Sequence, residues 1–393
     1  MTGRGADPSR GADPDRGADP APGAGAEGWI VLREGARRRW GGDVRRHHVF
    51  AGLAERTGAR VVEGGWRPGP LRRAVVGPLG FLPGVLADRL GTLGRGGRVR
   101  PKLAASEKLR DALLDAARAV TDPAAVAIYD DPTAQSGALG VALEPGWLDE
   151  LARRQRRNAE TFRWLVVPTR SFAELAGLDP DRIVVGGNGS DTSRVAPGPW
   201  PDVPCVGIVS AAAPGRGLEL LIDAVRAARG ALPDLRLRMV LVATGPATEP
   251  YLAGLRAAVA GEPWVEIAGA AYDDLGHATA PATVLCIPHP PGAYMDVALP
   301  VKLFDSLAVG RPLVVTPRTE TAAVVERHEV GVVAGGDTVD DLAAAIVELA
   351  GDDVRARRLG ARAREVAERE FDWRVVGDRI ALEVLRREGV SAP

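Results

Sequence analysis

The sequence predicts an α/β protein made of two doubly wound, Rossmann-like parallel sheets that face each other across a cleft. Three observations predict it. Short, wholly apolar runs alternate with longer stretches of helical period, as in sheets covered on both faces. After the proline-rich joint Pro197-Gly-Pro-Trp-Pro201 the same alternation starts again. The chain is also long enough for two cores, with 393 residues of which 46% are hydrophobic and 26% charged. Open parallel sheets bind ligands at the carboxyl ends of their strands, so the cleft is the default active site.

Residues 1–28 read as a low-complexity tail. RGADP occurs in it three times, from Arg4, Arg10 and Arg16, with almost no apolar side chain to offset the entropy of ordering. The Gly23, Gly25, Gly28 spacing within it precedes the first strand and therefore carries no phosphate-loop meaning. Order begins with the strand Trp29–Leu32, the turn Gly41-Gly42-Asp43 and a helix from Val44 to Thr57. Strands follow at Ala59–Val62, Ala125–Tyr129 and Trp164–Val167, with helices at about Glu107–Val120 and Trp147–Thr161 between them. In the second half, strands are expected at Cys205–Val209, Arg238–Ala243, Val265–Ile267, Thr283–Ile287 and Leu313–Thr316, with a helix at Leu218–Gly230. The resulting division is a tail (1–28), an N-terminal domain (29–196), a C-terminal domain (197–372) and a final helix (373–393).

Composition excludes several classes. Fifty basic side chains against fifty-one acidic ones give a net charge of -1, so no chain-wide field points to nucleic acid. Two cysteines and five scattered histidines favour neither a disulfide framework nor a zinc site. No leader of basic, apolar and small regions opens the sequence and no apolar run reaches membrane-spanning length, so a cytoplasmic protein is expected. Only Lys102, Lys108 and Lys302 are lysine in a chain rich in arginine, which makes each retained lysine worth inspection.

Four segments then share one likeness. Asp181-Arg-Ile-Val-Val185 with Asn188-Gly-Ser-Asp-Thr192, the run Pro214-Gly-Arg-Gly217 with Leu218–Ala224, the run Pro300–Val315 around Lys302-Leu-Phe-Asp305, and Glu365–Trp373 resemble, in order, the motifs of retaining glycosyltransferases of the two-domain GT-B class, family 4. The resemblance covers about residues 180–373 and implies transfer of a hexose from a nucleotide-diphosphate sugar with retention of configuration. The co-substrate replaces any bound cofactor, and no catalytic metal is implied.

A diphosphate leaving group asks for cations and free backbone amides. Lys302 falls in the first turn of a helix expected from Val301 to Val309, ended by Gly310 with Pro312 beyond. Arg216 heads the helix after the first strand of the second domain, and the resemblance assigns both cations to the diphosphate. Asp305 lies one helical turn from Lys302. The family carries glutamate there against the ribose hydroxyls; the alternative is an ion pair with Lys302. Where many members carry a second glutamate eight residues earlier, this chain has Val297. Further donor contacts are expected from Leu299 and Val301 through their amides, since Pro300 has none, and from Ser306, His289, Asp130 and the turn Gly41-Gly42. His47 and His48 read as surface or packing residues.

On the acceptor side, residues 33–73 hold eleven arginines against Glu34, Asp43, Glu55 and Glu63, a local net of +7, and the apolar, Gly/Pro-broken run Ala74–Leu86 follows. Residues 33–86 therefore suit either an anionic membrane surface or an ordinary solvated face. The acceptor classes are a glycan, a lipid-linked sugar or a small molecule. Two other readings share the architecture: a sugar-nucleotide epimerase, and a catalytically silent relative favoured by Val297 and the shortened Asp305.

Overall fold

The computed structural model describes residues 29–34, 42–64, 102–106, 122–128, 153, 156, 159–160, 162–242 and 248–389. The first sheet comprises β1 (Trp29–Glu34), β2 (Arg60–Gly64), β3 (Lys102–Ser106), β4 (Asp122–Ile128), β5 (Trp164–Val167) and β6 (Ile183–Val185), with helices α1 (Gly42–Thr57) and α2 (Arg170–Leu175) among its connections. Its order is β2-β1-β3-β4-β5-β6 and every pair is parallel.

The second domain runs β7 (Cys205–Ala211), α3 (Leu218–Ala228), β8 (Arg236–Val242), α4 (Thr248–Ala258), β9 (Val265–Ala268), α5 (Leu275–Thr279), β10 (Val284–Ile287), α6 (Ala293–Val297), α7 (Val301–Ala308), β11 (Leu313–Val315), α8 (Thr319–His328), β12 (Gly331–Val333), α9 (Val339–Ala350) and α10 (Asp353–Val366). Its six strands, also all parallel, are ordered β12-β11-β10-β7-β8-β9, the doubly wound dinucleotide-binding arrangement. The last helix is α11 (Trp373–Arg387).

Two strands are additional to those read from the sequence. Lys102-Leu-Ala-Ala-Ser106 is short and alanine-rich, with weak strand preference, and gains its place by pairing with β1 and β4. Gly331-Val-Val333 is only three residues long, and it lies so close to β11 that a Cβ on Gly331 would fall 2.1 Å from the Leu313 carbonyl oxygen. Both owe their strand state to neighbours distant in sequence.

All four residues of β10 are buried, as expected for a strand covered on both faces. Helix α3 shows the matching amphipathic pattern, burying Leu218, Leu221, Ile222 and Val225. Its side of the sheet forms one apolar core with β8, α4 and α9. The other core crosses the domain boundary, from Val49, Phe50 and Leu53 of α1 through Trp373 and Ile380 of α11 to Leu303, Phe304 and Leu307 of α7.

The chain crosses between the sheets twice, and the two crossings touch. Ser190 forms a parallel bridge with Asp372; its amide donates to the Phe371 carbonyl at 2.9 Å and its carbonyl accepts from Trp373 at 3.0 Å. Helix α11 then returns to the first domain, where Asp378 pairs with Arg56 of α1 and Glu388 accepts the Trp164 indole N–H at 2.5 Å. Among the described residues no helix is long and apolar enough to cross a membrane.

Candidate active site

In the second sheet β7 and β10 are neighbours, while β8 and β9 continue to one side and β11 and β12 to the other. A ligand crevice opens at the carboxyl ends of such a strand pair. The turn after β7 is Pro214-Gly-Arg-Gly217, in which Gly217 adopts a left-handed φ of 71°. A Cβ there would fall 1.7 Å from the Pro288 carbonyl oxygen, so this turn lies directly against the loop after β10. The contact brings Arg216 near His289.

Helices α3 and α7 begin here without side-chain caps, behind Gly217 and Pro300. Their first N–H groups have no intrahelical partner by construction and carry the positive end of the helix dipole. By contrast α9, α10 and α11 are capped by Thr338, Asp352 and Asp372.

The charges at this point are unbalanced. Lys302 Nζ is buried with no hydrogen-bond partner, and burial together with Arg216 pushes its ammonium down to about 7. Arg216 Nε is likewise buried and unpartnered, and burial lowers this guanidinium too. Among the described residues no carboxylate pairs with either cation. His289 is 1% exposed, and neither ring nitrogen has a partner. Burial, then Lys302, Arg216 and Arg318, push it well below its ordinary value, so the ring is neutral. Arg318, in contrast, is compensated: it donates to Asp296 at 2.8 Å and to both oxygens of Asp337 at 2.5 and 2.6 Å. Two half-buried cations whose Nε and Nζ lack partners are costly, and an anion carrying two negative charges would offset the cost.

One turn along α7 the environment changes sign. Asp305 is 6% exposed, and its Oδ1 accepts from Ser190 Oγ at 2.7 Å and from Tyr272 OH at 3.1 Å. Burial pushes its carboxyl up to about 7 against the pull of these hydrogen bonds. In Asp191, burial also works to raise the pKa but is outweighed by His48 and Ser193, which hold the carboxyl well below the usual range. His48 Nε2 lies 3.5 Å from its Oδ2. Tyr272 stands in the loop after β9, Ser190 in the domain crossing and His48 on α1, so Asp305 joins the crevice helix to the hinge. The domains also meet directly: Thr169 Oγ1 donates to the Val297 carbonyl at 3.2 Å, Asn188 Nδ2 to the Leu299 carbonyl, and Ser171 Oγ to Glu320.

Comparison with known proteins gives this geometry a context. Residues 201–352 match the family described as Glycosyl transferases group 1. The second domain belongs to that family. A GDP-mannose-dependent alpha-(1-6)-phosphatidylinositol monomannoside mannosyltransferase of Mycolicibacterium smegmatis is 30% identical over 219 residues, covering 52% of this chain and 56% of the relative. The chain thus spans about half the length of the curated relatives it matches. Among solved structures, Anabaena HepE in complex with UDP-glucose superposes with a TM-score of 0.64 at 16% identity, covering 91% of this chain and 99% of the other. A sucrose-phosphate synthase from Thermosynechococcus elongatus gives 0.61 at 16% identity over 92% and 98%. The two sheets and the described helices around them have the GT-B fold.

Within this glycosyl transferase domain the structure brings Lys302, Arg216 and His289 together. Val301 supplies a first-turn amide of α7 beside Lys302, while Leu299 turns its carbonyl to Asn188 of the first domain. The alternative of an Asp305–Lys302 ion pair is corrected: Asp305 makes none and its Oδ1 accepts from Ser190 and Tyr272 instead. The Ser306 hydroxyl donates to the Lys302 carbonyl at 2.7 Å, one turn back along α7. Gly42 is the first residue of α1. Gly41, Asp130, the tail 1–28 and the segment 65–86 lie outside the described residues, as do most of the helices expected at 107–120 and 147–161. Sequence reasoning missed Arg318, Ser190 and Tyr272 as members of this region. Arg318 could have been flagged by its place just after the β11 strand; nothing local marks Tyr272.

Proposed function

We propose that the chain moves a hexose from a nucleotide-diphosphate sugar to a glycan or lipid-linked acceptor with retention of configuration. The observation that carries the reading is the pair of half-buried cations, Arg216 and Lys302, whose Nε and Nζ are buried without partners or a counter-charge at two uncapped helix starts of the strand-order switch. A sugar nucleotide brings two negative charges to such a crevice and concentrates more on the leaving phosphate as its bond to the anomeric carbon breaks. Cations already fixed in a site of low dielectric stabilise that change without reorganising.

The proposed reaction balances without a protein nucleophile. The acceptor oxygen bonds to the anomeric carbon on the face from which the nucleoside diphosphate departs. The acceptor proton passes to the departing phosphate oxygen, and the diphosphate keeps the electron pair of the broken bond. Lys302 binds as its charged form, the proximity of the anion restoring the proton that burial disfavours. Oδ1 of Asp305 is occupied, so a ribose contact from this residue falls to Oδ2. No metal is needed in this scheme. GDP-mannose is the first donor to try, since the curated relatives are named for it, with UDP-glucose, bound by the HepE neighbour, as the second. The basic and apolar segment 33–86 is proposed to receive an acceptor carried on a lipid phosphate at a membrane surface.

The test is turnover of the full chain with GDP-mannose or UDP-glucose and a phosphoinositide-mannoside or glycan acceptor. The product's anomeric coupling is read by NMR. Lys302→Met is expected to lower kcat/KM at least about 100-fold, the order associated with losing one transition-state charge contact. An inverted product would end the retention part of the reading. Transfer that survives in the variant would remove Lys302 from it. Val297 favours a second reading, a silent relative that binds sugar nucleotides without turnover; donor binding with no transfer or hydrolysis would establish that one.

A further inference from the structure

We propose that His289 reads the transferred sugar, its neutral imidazole accepting a hydrogen bond from a hydroxyl of the donor hexose. The inference rests on the donor reading above and adds to it the residue that discriminates a sugar nucleotide from the bare nucleoside diphosphate.

The first ground is the ring's isolation. His289 is 1% exposed and both nitrogens lack partners, although its own backbone carbonyl is held by Thr316 Oγ1 at 2.7 Å. Buried polar groups are nearly always paired, so an imidazole held in place with both nitrogens unsatisfied is a group suited to pair with a ligand. The second ground is what surrounds it. The turn after β7 presents Arg216, α7 presents Lys302 and the head of α8 presents Arg318, and all three act on the ring. These groups only donate hydrogen bonds. Against them the neutral imidazole offers one donor and, unlike them, one acceptor.

A diphosphate accepts hydrogen bonds and does not donate, so it can use the ring N–H but leaves the lone pair unmet. A sugar hydroxyl can donate to that lone pair. Asp296, the carboxylate on neighbouring α6, is taken by Arg318 at 2.8 Å. A carboxylate at position 289 would itself pair with the cations and compete with the diphosphate. An uncharged acceptor meets the hexose without that conflict.

The experiment compares dissociation constants by calorimetry for GDP with GDP-mannose, and UDP with UDP-glucose, on the full chain. For whichever pair binds, His289→Leu is expected to weaken the sugar nucleotide about fivefold to tenfold more than the nucleoside diphosphate, the scale of one neutral hydrogen bond. His289→Gln, which keeps a donor and an acceptor, should recover part of the difference. In the wild type, one of a series of deoxy-sugar nucleotides should lose a similar factor, and that loss should shrink in His289→Gln and vanish in His289→Leu. This arm stands even if the Leu variant does not fold. Equal weakening of both members of a pair would put the ring on the phosphate and overturn the proposal, as would a wild type indifferent to every deoxy position. A wild type that binds none of the four nucleotides would overturn the donor reading itself, and this inference with it.

Discussion

Buried cations occur in two regions of the second domain, under opposite conditions. At the back of the domain Arg311 is 2% exposed and fully occupied: Nε donates to the Ala282 carbonyl at 2.7 Å, Nη2 to Pro199 at 2.6 Å, and the guanidinium stacks over Trp200 at 4.7 Å. Nearby, Arg364 donates to the carbonyls of Val195, Ala308 and Thr192 at 2.7, 2.6 and 3.0 Å. These two arginines pin the interdomain linker. In the crevice, Arg216 and Lys302 are half-buried, with Arg216 Nε and Lys302 Nζ buried and unpartnered. One region spends its charges on the fold; the other leaves them without a partner in the protein.

The sharpest way to break this comparison is a pair of substitutions expected to act in opposite directions. Arg311→Met should lower stability by about 3 kcal/mol, as for breaking other buried charged networks, because four backbone carbonyls lose their donor. Lys302→Met should raise it at pH 7 by on the order of 2 kcal/mol, since each pH unit by which the ammonium is depressed corresponds to about 1.4 kcal/mol. For a base pushed from 10.5 down to about 7, stability is lost as pH falls through that window, so the gain from Lys302→Met should shrink toward pH 10. Urea titrations at several pH values check both; shifts of the same sign would collapse the distinction.

A smaller effect sharpens the ligand side. On the proposed function, donor binding uses charged Lys302, and sugar-nucleotide affinity should be flat below about pH 7 and fall by up to about tenfold per unit above it, until the raised pKa of the complex is reached. Calorimetry across pH 6–9 reads this, and in Lys302→Arg the fall should disappear. A profile unchanged by that substitution would show that another group titrates.

The least effect is expected at the hinge. Asp305 is pushed up from 3.8 to about 7, so the stability its protonated form contributes is lost as pH rises through that interval. Asp305→Asn keeps an acceptor for Ser190 and Tyr272 and should add about 1 kcal/mol at pH 8, with little change at pH 4. Melting curves at the two pH values decide it; equal shifts at both would refute the titration.

Legibility in the sequence followed the range of the interaction concerned. Lys302 was readable because a rare lysine stood in the first turn of a helix with a clear start and a glycine end. Arg216 was named through the family resemblance of the segment around it. The ties of Asp305 were not, because Ser190 and Tyr272 lie 115 and 33 residues away. Nor did anything local distinguish Arg318, a compensated arginine, from Arg216, an uncompensated one: both simply follow a strand. Strands β3 and β12 escaped for a related reason, being too short or too alanine-rich to declare themselves without their neighbours.

By itself, then, the order of residues determined the alternation of strand and helix, the doubling of the sheet and the helix start at which Lys302 stands, since periodicity, turn chemistry and helix ends act within a few residues. Only the tertiary structure decided which buried charges find partners, which way Asp305 faces and that His289 is left unmet. Those outcomes depend on desolvation and on groups brought together from distant parts of the chain, and neither exists until the two sheets have packed.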